Sequence, residues 1–368
     1  METKEYIPFK AIHPGLIIKD ELDARGISQK EFAQDIGMQT TMLNEIIKGK
    51  RAITAEIALV LEKGLGIKAA SWMRHQVGYE LDSVRIKERN ILKIQQMETW
   101  SIIKQFVPVS AFSKLGLLSN SLADNIARIW DIYNVDSIDL LVQRVSVNKC
   151  NEYYKKSEKL KSDQVNIMGW SQLVRWQATS IKVNVFSPDN RDVIITELKE
   201  VIRANKNVVR YTQEVLHKYG IKFLVQERFK QSPIDGYSFW SSENPTIVVT
   251  MRKKFLDNFA FTIMHELGHV FTHLVADKNV DFLDIEYPNR SLSVKEQEAH
   301  HFAQQCFLKD ATWNEFFSRN IKFSYPSTEK EMVQLAVKEK IHPSIILGRY
   351  CFETRNFAIK TSIDRTIS

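Results

Sequence analysis

Apolar side chains recur at helical spacing along most of this chain, whereas segments with the apolar pattern of strands are few. The spacing predicts helices over residues 13–23, 28–36, 40–48, 92–107, 121–133, 137–145, 193–219, 253–276, 294–308, 329–338 and 343–350. Strand patterns occur at residues 221–225 and 247–250, the second within an extended run over 245–250. The chain is therefore predicted to be mainly α with a small β-sheet, which is the α+β class.

The predicted helix at residues 253–276 combines apolar spacing with three polar residues of metal-binding type. Its apolar positions recur every three to four residues, at Phe255, Phe259, Ile263, Leu267 and Val270. His265 and His269 are four residues apart, so both imidazoles lie on one helix face, and Glu266 follows the first of them. Burying these groups in a core costs free energy unless they bind a partner. We therefore favour a catalytic zinc site over two hydrogen-bonded core histidines.

A catalytic zinc ion takes three protein ligands, so a third ligand is expected. His273 lies one further turn along the same helix, which is too far to complete the same site. The apolar stripe of the next candidate helix, residues 294–308, consists of Ala299, Ala303, Cys306 and Phe307. Glu296 lies on that stripe and Glu298 does not, and an inward-facing carboxylate requires a partner. Glu296 is therefore the predicted third ligand, with Glu298 as the substitute.

The predicted site has the groups that peptide hydrolysis needs. Zinc lowers the pKa of a bound water to about 7. Glu266 would accept the proton of that water and pass it to the leaving amine. Upstream of the helix, residues 245–250 have the pattern of an extended strand. That strand would either hold a substrate peptide by strand addition or be an ordinary strand of the sheet.

Residues 258–269 and 296–303 resemble the ImmA/IrrE family of zinc metallopeptidases. The family has an F-T-x-x-H-E-x-x-H helix and then an E-x-E-A-N-x-F-A helix, whose first glutamate is a zinc ligand. The resemblance covers roughly residues 190–310. It implies a zincin-like fold with Glu266 as the base and with three zinc ligands, His265, His269 and Glu296. The chain departs from the family pattern at His300, which stands in the place of the usual asparagine.

The amino-terminal residues have the pattern of short helices separated by tight turns. Ser28 is a good N-cap, and Glu31 completes a capping box. Gly26 closes the first predicted helix, and Gly37 turns the chain before the helix at 40–48. Two short helices joined by such a turn form a helix-turn-helix. The predicted contacts to base edges are Gln39, Thr40, Thr41 and Asn44, and those to phosphates are Lys48, Lys50 and Arg51. Gln29, at the start of the first of the two helices, is a further predicted DNA contact.

Residues 13–15, 27–33 and 44–54 resemble the HigA-like branch of the XRE-type helix-turn-helix regulators. The resemblance implies binding to a near-palindromic operator as a homodimer, often beside a toxin gene. The net charge of the amino-terminal region gives no further support for DNA binding. The chain has 51 basic and 44 acidic side chains, but residues 1–85 hold twelve of each. The alternative for this region is a helical protein-interaction module.

Length and composition bound the organisation of the chain. At 368 residues it is long enough for two or three domains. We place a helix-turn-helix domain at residues 1–83, a helical coupling segment at 84–186 and a peptidase domain at 187–368. No run of about 18 apolar residues and no apolar leader occurs, so we expect a cytoplasmic protein without a membrane partner. The three cysteines are far apart, which predicts no disulfide framework.

Two functions fit these patterns. In the first, a DNA-binding transcriptional regulator is fused to a zinc-dependent endopeptidase that cleaves a specific repressor or antitoxin, or the chain itself. In the second, the protein is an antitoxin-like autorepressor whose peptidase domain senses a signal or binds a toxin partner with little turnover. The complete set of ligands and base favours the first function. The two differ in whether Glu266 is needed for derepression.

Overall fold

The computed structural model describes residues 8–147, 158–285 and 293–368. The chain divides into two compact units, Met1–Ser101 and Ile102–Ser368. The described residues are mainly helical with one small sheet, which confirms the predicted α+β class. Within them, no helix is both long enough and apolar enough to span a membrane.

The first unit consists of short helices around an apolar centre. Its elements are α1 Gly15–Arg25, α2 Gln29–Asp35, α3 Thr40–Ile47, α4 Ala55–Leu65 and the first part of α5 Ala69–Phe106. The buried side chains at its centre include Ile18, Leu22, Phe32, Leu43, Ile46, Leu61 and Trp72. Gly26 ends α1 with a φ of 67°, and Gly37 turns the chain after α2 with a φ of 64°. Both helix ends are where the sequence predicts them, because glycine adopts this left-handed conformation without strain.

The turn of His13, Pro14 and Gly15 determines where α1 begins. The Gly15 N–H donates to His13 Nδ1 at 2.9 Å, so the imidazole satisfies a free amide at the start of the helix. A β-carbon on Gly15 would lie 2.0 Å from the carbonyl oxygen of Ile46. The start of α1 and the end of α3 therefore approach too closely for any side chain at this position.

The second unit contains the end of α5 and the remaining helices. Before the sheet, these are α6 Val109–Lys114, α7 Leu122–Tyr133, α8 Ile138–Val147, α9 Glu158–Thr179, α10 Arg191–Ala204 and α11 Val208–Lys218. Later helices are α12 Leu256–His269, α13 Val294–Phe307, α14 Asp310–Arg319, α15 Ser327–Glu339 and α16 Pro343–Thr354. A 3-10 turn, Pro188–Asn190, precedes α10, and a π-helical turn, Val270–Leu274, continues α12.

The prediction of one continuous helix over residues 193–219 is wrong. Asn205 and Asn207 have left-handed backbone conformations, with φ of 45° and 43°. Asparagine tolerates this conformation because its short polar side chain hydrogen-bonds locally. The break separates α10 from α11, although apolar side chains recur at helical spacing on both sides of it.

A four-stranded sheet lies against α12. Its strands are β1 Lys222–Val225, β2 Ile234–Ser241, β3 Asn244–Val249 and β4 Asp281–Ile285, in the order β1-β3-β2-β4. β1 is parallel to β3, whereas β2 is antiparallel to both β3 and β4. β3 is thus paired along both edges. This pairing excludes the addition of a substrate strand at residues 245–250, and β3 is an ordinary strand of the sheet.

Helix α9, from the predicted coupling segment, packs on the sheet of the second unit. The indole Nε1 of Trp170 donates to the carbonyl oxygen of Glu227 at 3.1 Å. Arg175 Nε donates to Tyr237 Oη at 2.7 Å, and Arg175 Nη2 donates to the Asp281 carboxylate on β4. α9 therefore contributes to the core of this unit. The division of the chain at residues 83 and 186 stays a prediction.

Candidate metal centre

Helix α12 carries three polar residues within the core of the second unit. His265, Glu266 and His269 are 1%, 0% and 0% exposed. They are buried because α12 packs against α13 as well as against β2 and β3. Buried polar groups on neighbouring turns of one helix require partners, which marks this position as a candidate functional site.

A glycine allows α13 to approach α12 closely. A β-carbon on Gly268 would lie 3.0 Å from Ala299 Cα and 3.2 Å from Phe302 Cδ1. The start of α13 is determined by Ser293, whose Oγ accepts the Glu296 N–H at 3.3 Å. Glu296 therefore lies in the first turn of α13, next to the histidines of α12.

The donor atoms of His265, His269 and Glu296 converge on one point. His265 Nε2 lies 3.1 Å from His269 Nε2, and Glu296 Oε2 lies 3.2 Å from the first and 3.5 Å from the second. All ligand atoms of this group lie within 4.8 Å of one another. Two imidazole nitrogens and one carboxylate oxygen are a donor set that fits catalytic zinc. Glu298, the predicted substitute, is not in the group and contacts His273 instead.

The protonation states of the group also suit a metal. Burial by itself raises the pKa of the Glu296 carboxyl, but hydrogen bonds from His265 and His269 outweigh it and hold that pKa far below its usual range. Burial lowers the pKa of His269 to about 4, against an opposing hydrogen bond to Glu296. At neutral pH the group thus offers a carboxylate and a neutral imidazole at His269, and metals bind these forms.

Glu266 lies beside this group with both carboxyl oxygens buried. Burial raises its pKa well above the usual value and the nearby charge of Asp284 raises it further, against an opposing hydrogen bond from the Ser238 side chain. A cation at the neighbouring ligands would lower that pKa, because positive charge favours the carboxylate. Gly236 on β2 makes room for it, since a β-carbon there would lie 2.1 Å from Glu266 Oε1. The arrangement suits a general base.

Strand β4 brings two residues to the site that the pattern along the chain does not reveal. The Phe282 ring stacks on the His269 imidazole, with centroids 4.2 Å apart and planes inclined by 12°. Asp284 forms a second group with His265 and Glu266, again with ligand atoms within 4.8 Å. The available signal is a five-residue segment in which two acidic residues, Asp281 and Asp284, stand among apolar ones. It does not show that this segment pairs beside α12.

His300, which departs from the family pattern, also lines the site. Its ring lies 5.1 Å from the His265 ring and 4.9 Å from the Phe261 ring, centroid to centroid. Burial lowers the pKa of His300 to about 4, and the neighbouring His265 contributes to this effect. His300 is therefore a neutral neighbour of the ligand group at physiological pH.

Helices α2 and α3 form the predicted helix-turn-helix. Ser28 Oγ accepts the Glu31 N–H at 3.2 Å, and α3 begins at Thr40. Arg51 Nε donates to Glu45 Oε2 at 2.8 Å. Of the predicted DNA contacts, Gln29 and Asn44 are half-buried and the others are exposed, namely Gln39, Thr40, Thr41, Lys48, Lys50 and Arg51. Their role in DNA binding stays a prediction.

Two family models match separate parts of the chain. The helix-turn-helix model matches residues 18–72, and the IrrE N-terminal-like domain model, which describes a peptidase family, matches residues 217–337. Virulence-associated protein A of Dichelobacter nodosus is 42% identical over 74 residues, which are 20% of this chain and 72% of that protein. Virulence-associated protein I of the same organism is 34% identical over 90 residues, 24% of this chain and 83% of that protein.

Among solved structures, an addiction module antidote protein of the HigA family from Coxiella burnetii is 29% identical. The match covers 23% of this chain and 94% of that chain, with a TM-score of 0.22. At that score the likeness carries no structural argument. The peptidase match, by contrast, spans every residue of the candidate metal centre, from Gly236 on β2 to His300 on α13.

Proposed function

Because this chain belongs to the XRE-type helix-turn-helix family and carries an IrrE-like peptidase domain, we propose that it is a transcriptional regulator with a zinc-dependent endopeptidase activity. The endopeptidase cleaves a specific repressor or antitoxin, or the chain itself, and so controls gene expression. The observation that carries the proposal is the convergence of His265, His269 and Glu296 beside the buried Glu266. Core packing alone does not favour such a set, since each buried polar side chain costs free energy.

In this proposal His265, His269 and Glu296 hold the zinc ion. Zinc, when bound, acidifies a water molecule and polarises the carbonyl of the scissile peptide bond. The Glu266 carboxylate accepts the proton of the attacking water and then donates it to the amine leaving group. Phe282, stacked on His269, keeps bulk water from that side of the imidazole, which strengthens the electrostatic interactions within the site.

The helix-turn-helix binds operator DNA with α3 in the major groove. Base edges are contacted by Gln39, Thr40, Thr41 and Asn44, and the remaining DNA contacts are Gln29, Lys48, Lys50 and Arg51. We assign residues 1–83 to this activity, 187–368 to the peptidase and 84–186 to their coupling. A protein that acts at an operator works in the cytoplasm, and the fusion brings the peptidase to repressors bound nearby.

A homodimer is the form in which this domain binds a near-palindromic operator. Helix α5 offers a surface for the second copy. Five apolar side chains between 47% and 57% exposed lie on one face of the helix, namely Val77, Leu81, Val84, Ile91 and Leu92. Glu80 and Arg85 flank this α5 stripe on opposite sides, at the spacing of the g and e positions that pair in a parallel coiled coil. Glu88 is exposed on the same face between Val84 and Ile91, so the stripe consists of two apolar segments separated by one acidic residue.

A second candidate function is favoured by the burial of the centre. His265, Glu266 and His269 are at most 1% exposed, and a peptide must reach them before it is cleaved. A domain that keeps this closed form would sense a signal or bind a toxin partner with little turnover. The protein would then be an antitoxin-like autorepressor.

The two candidates are separated by the variant Glu266→Gln. The substitution preserves size and hydrogen bonding but removes the proton acceptor. We expect about one zinc per chain to be retained, unchanged DNA binding, and proteolysis slower by about 10²–10⁴-fold. The double variant His265→Ala/His269→Ala should lose the metal as well, which elemental analysis of the purified proteins measures.

Proteolysis is followed in cells by immunoblots for shortened repressor, antitoxin or full-length chain, alongside a reporter for the controlled promoter. The matched control is Glu243→Gln, the same substitution at an exposed position between β2 and β3. Equal derepression by wild type and Glu266→Gln, without any fragment, would exclude catalysis as the mechanism and leave the autorepressor. Retention of zinc by the folded double-histidine variant would exclude the metal centre itself.

A further inference from the structure

A chain of hydrogen bonds leads away from the metal centre through a third histidine. His269 Nδ1 lies 3.1 Å from His273 Nδ1, and His273 Nε2 lies 2.9 Å from Glu298 Oε2. His273 is 6% exposed, whereas the Glu298 side chain is 51% exposed. The chain of contacts thus runs from a buried candidate ligand to a carboxylate at the surface.

The backbone explains why His273 lies so close to His269. α12 ends at His269 and continues as the π-helical turn Val270–Leu274, in which Val275 N–H donates to the Val270 carbonyl at 3.1 Å. Such a turn inserts one extra residue per hydrogen-bonded loop and occurs at functional sites. His273 follows His269 by four residues, so its ring lies on the same side of the helix as His269, and it contacts Glu298 of α13.

Proton accounting permits one consistent assignment of these contacts. If His269 Nε2 ligates the metal, its other ring nitrogen, Nδ1, carries the hydrogen and donates it to His273 Nδ1. His273 Nδ1 is then the acceptor, so its hydrogen is on Nε2 and is donated to the Glu298 carboxylate. Every donor in this series of hydrogen bonds therefore meets an acceptor. The only charged group in the series is the Glu298 carboxylate at its exposed end.

The hydrogen-bonded series His269, His273 and Glu298 is called the relay below. The ring of Phe282 covers one side of it. Its centroid lies 4.2 Å from that of His269 and 5.0 Å from that of His273. An apolar ring against both imidazoles leaves less room for water to compete for their ring nitrogens. Hydrogen bonds in such an environment are stronger than in water.

We propose that His273 and Glu298 are positioning residues that hold His269 in the Nδ1–H tautomer and orient its Nε2 for zinc. The proposal rests on the proposed function of the centre as a zinc site. A carboxylate that hydrogen-bonds a ligating histidine raises the basicity of that ligand and limits its rotation. In this protein the Glu298 carboxylate acts on the ligand His269 through the intervening His273. α13 thereby contributes both a metal ligand, Glu296, and the end of the relay, Glu298, two positions later.

The experiment measures zinc affinity by competition with a chelator at constant pH, for the variants His273→Phe and Glu298→Ala in the full-length protein. His273→Phe retains a flat ring next to Phe282 but removes both nitrogens. We expect either variant to bind zinc about 10–100-fold more weakly than wild type. Glu298→Gln, which keeps an acceptor without the charge, should fall between Glu298→Ala and wild type. The matched controls, His301→Phe and Glu243→Ala, change exposed residues outside the relay and should retain the affinity of wild type.

A double-mutant cycle separates a relay from a general structural role. If both residues act through one hydrogen-bonded chain, the double variant His273→Phe/Glu298→Ala should lose little more affinity than His273→Phe alone. The melting temperature of metal-free Glu298→Ala should equal that of metal-free wild type, because the side chain is half exposed. Should His273→Phe fail to fold, Glu298→Ala and Glu298→Gln still decide the outcome.

Unchanged zinc affinity of folded Glu298→Ala would overturn the relay, and so would losses that simply add in the double variant. In either case a wild type that binds zinc leaves the proposed peptidase centre intact. A wild type that does not bind zinc would overturn the relay together with the proposed zinc-dependent function. The two failures are therefore distinguishable in one series of measurements.

Discussion

At the scale of single residues, Gly236 leaves the space that the Glu266 carboxyl group occupies. Glu266 Oε1 occupies the place that the β-carbon of any other residue at position 236 would take, 2.1 Å away. β2 is held on both sides by β3 and β4, so the strand cannot simply move back. Any side chain at this position must therefore displace the carboxyl group of the candidate base.

We predict that Gly236→Ala reduces proteolysis about as much as loss of the base, by about 10²–10⁴-fold, while zinc binding persists. The three atoms nearest to the added methyl group all belong to Glu266, and none belongs to a metal ligand. Cleavage of the substrate and zinc content are measured on the same preparation. Gly78→Ala is the matched control, because a β-carbon at Gly78 meets no atom within 4 Å. Full proteolysis by Gly236→Ala would contradict the assignment of Glu266 as base.

Two of the predicted phosphate contacts, Lys50 and Arg51, differ in their interactions in the protein without DNA. Arg51 is already hydrogen-bonded to Glu45, whereas Lys50 is exposed at the end of the turn after α3. Exposed ion pairs contribute little free energy, about 0–1 kcal/mol, but Arg51 must give up this one to contact a phosphate. The free energy gained when Arg51 contacts a phosphate is therefore partly offset by the loss of its ion pair with Glu45. A phosphate contact by Lys50 has no such cost.

We expect Lys50→Ala to weaken binding to all DNA sequences and to reduce the salt slope of log K by about 0.9. Arg51→Ala should have the same kind of effect but a smaller one. Asn44→Ala should instead relax the preference at particular base pairs by about 1–3 kcal/mol. Gel shifts with the upstream fragment and with random DNA, over a series of salt concentrations, measure all three. No preference of wild type for any upstream fragment would contradict operator binding.

At the scale of elements, the contact between α12 and α13 assembles the centre. Gly268 is the point of closest approach, where an added β-carbon would be 3.0 Å from Ala299 Cα. Contacts of this length are tighter than ordinary packing, so α13 must shift if position 268 gains a side chain. Since α13 carries Glu296, a shift of the helix moves one ligand relative to the other two.

We predict a graded loss of zinc in the series Gly268→Ala and Gly268→Val. The alanine variant needs a shift of a few tenths of an ångström and should bind zinc more weakly. The valine variant, with two further methyl groups, should lose most of its metal. Overpacking of this kind also destabilises a core by about 1–3 kcal/mol, so thermal unfolding is measured beside elemental zinc. Wild-type zinc affinity in Gly268→Val would show that α13 does not need this approach.

At the scale of the whole molecule, the proposed homodimer depends on the α5 stripe. Its five apolar side chains are about half exposed although apolar surface is normally buried or scattered. Operator half-sites lie one helical turn or more apart, so two copies are needed to occupy both. A stripe on a long helix next to the helix-turn-helix is well placed to join them.

We expect Val84→Lys to convert the protein to a monomer, because a charge inside the stripe would lie opposite its own copy. Sedimentation measures the oligomeric state, and gel shifts on a two-half-site operator should show weaker, non-cooperative binding. Leu59→Lys is the matched control, since Leu59 is 57% exposed on α4 and lies outside the stripe. A dimeric Val84→Lys would place the dimer contact elsewhere on the chain.

Local features of the fold could be predicted because they depend on residues that are close in sequence. The cap at Ser28, the end of α1 at Gly26 and the pair of His265 and His269 each involve residues within about one helical turn. The break at Asn205 could not be predicted in the same way. Apolar periodicity does not register a single change of backbone conformation, although asparagine is one of the residues that tolerates the left-handed conformation found there.

The mainly α fold, the helix-turn-helix and the candidate metal ligands of α12 and α13 follow from patterns within short stretches of the sequence. Which other segments lie beside those ligands depends on how the chain packs. β2 and β4 are short or rich in polar residues, so nothing local marks Gly236, Phe282 or Asp284 as neighbours of α12. The pairing of His273 with Glu298 likewise depends on how two helices pack. Periodicity reports neighbours within a turn or two, whereas contacts between distant residues arise from the packing of complete elements.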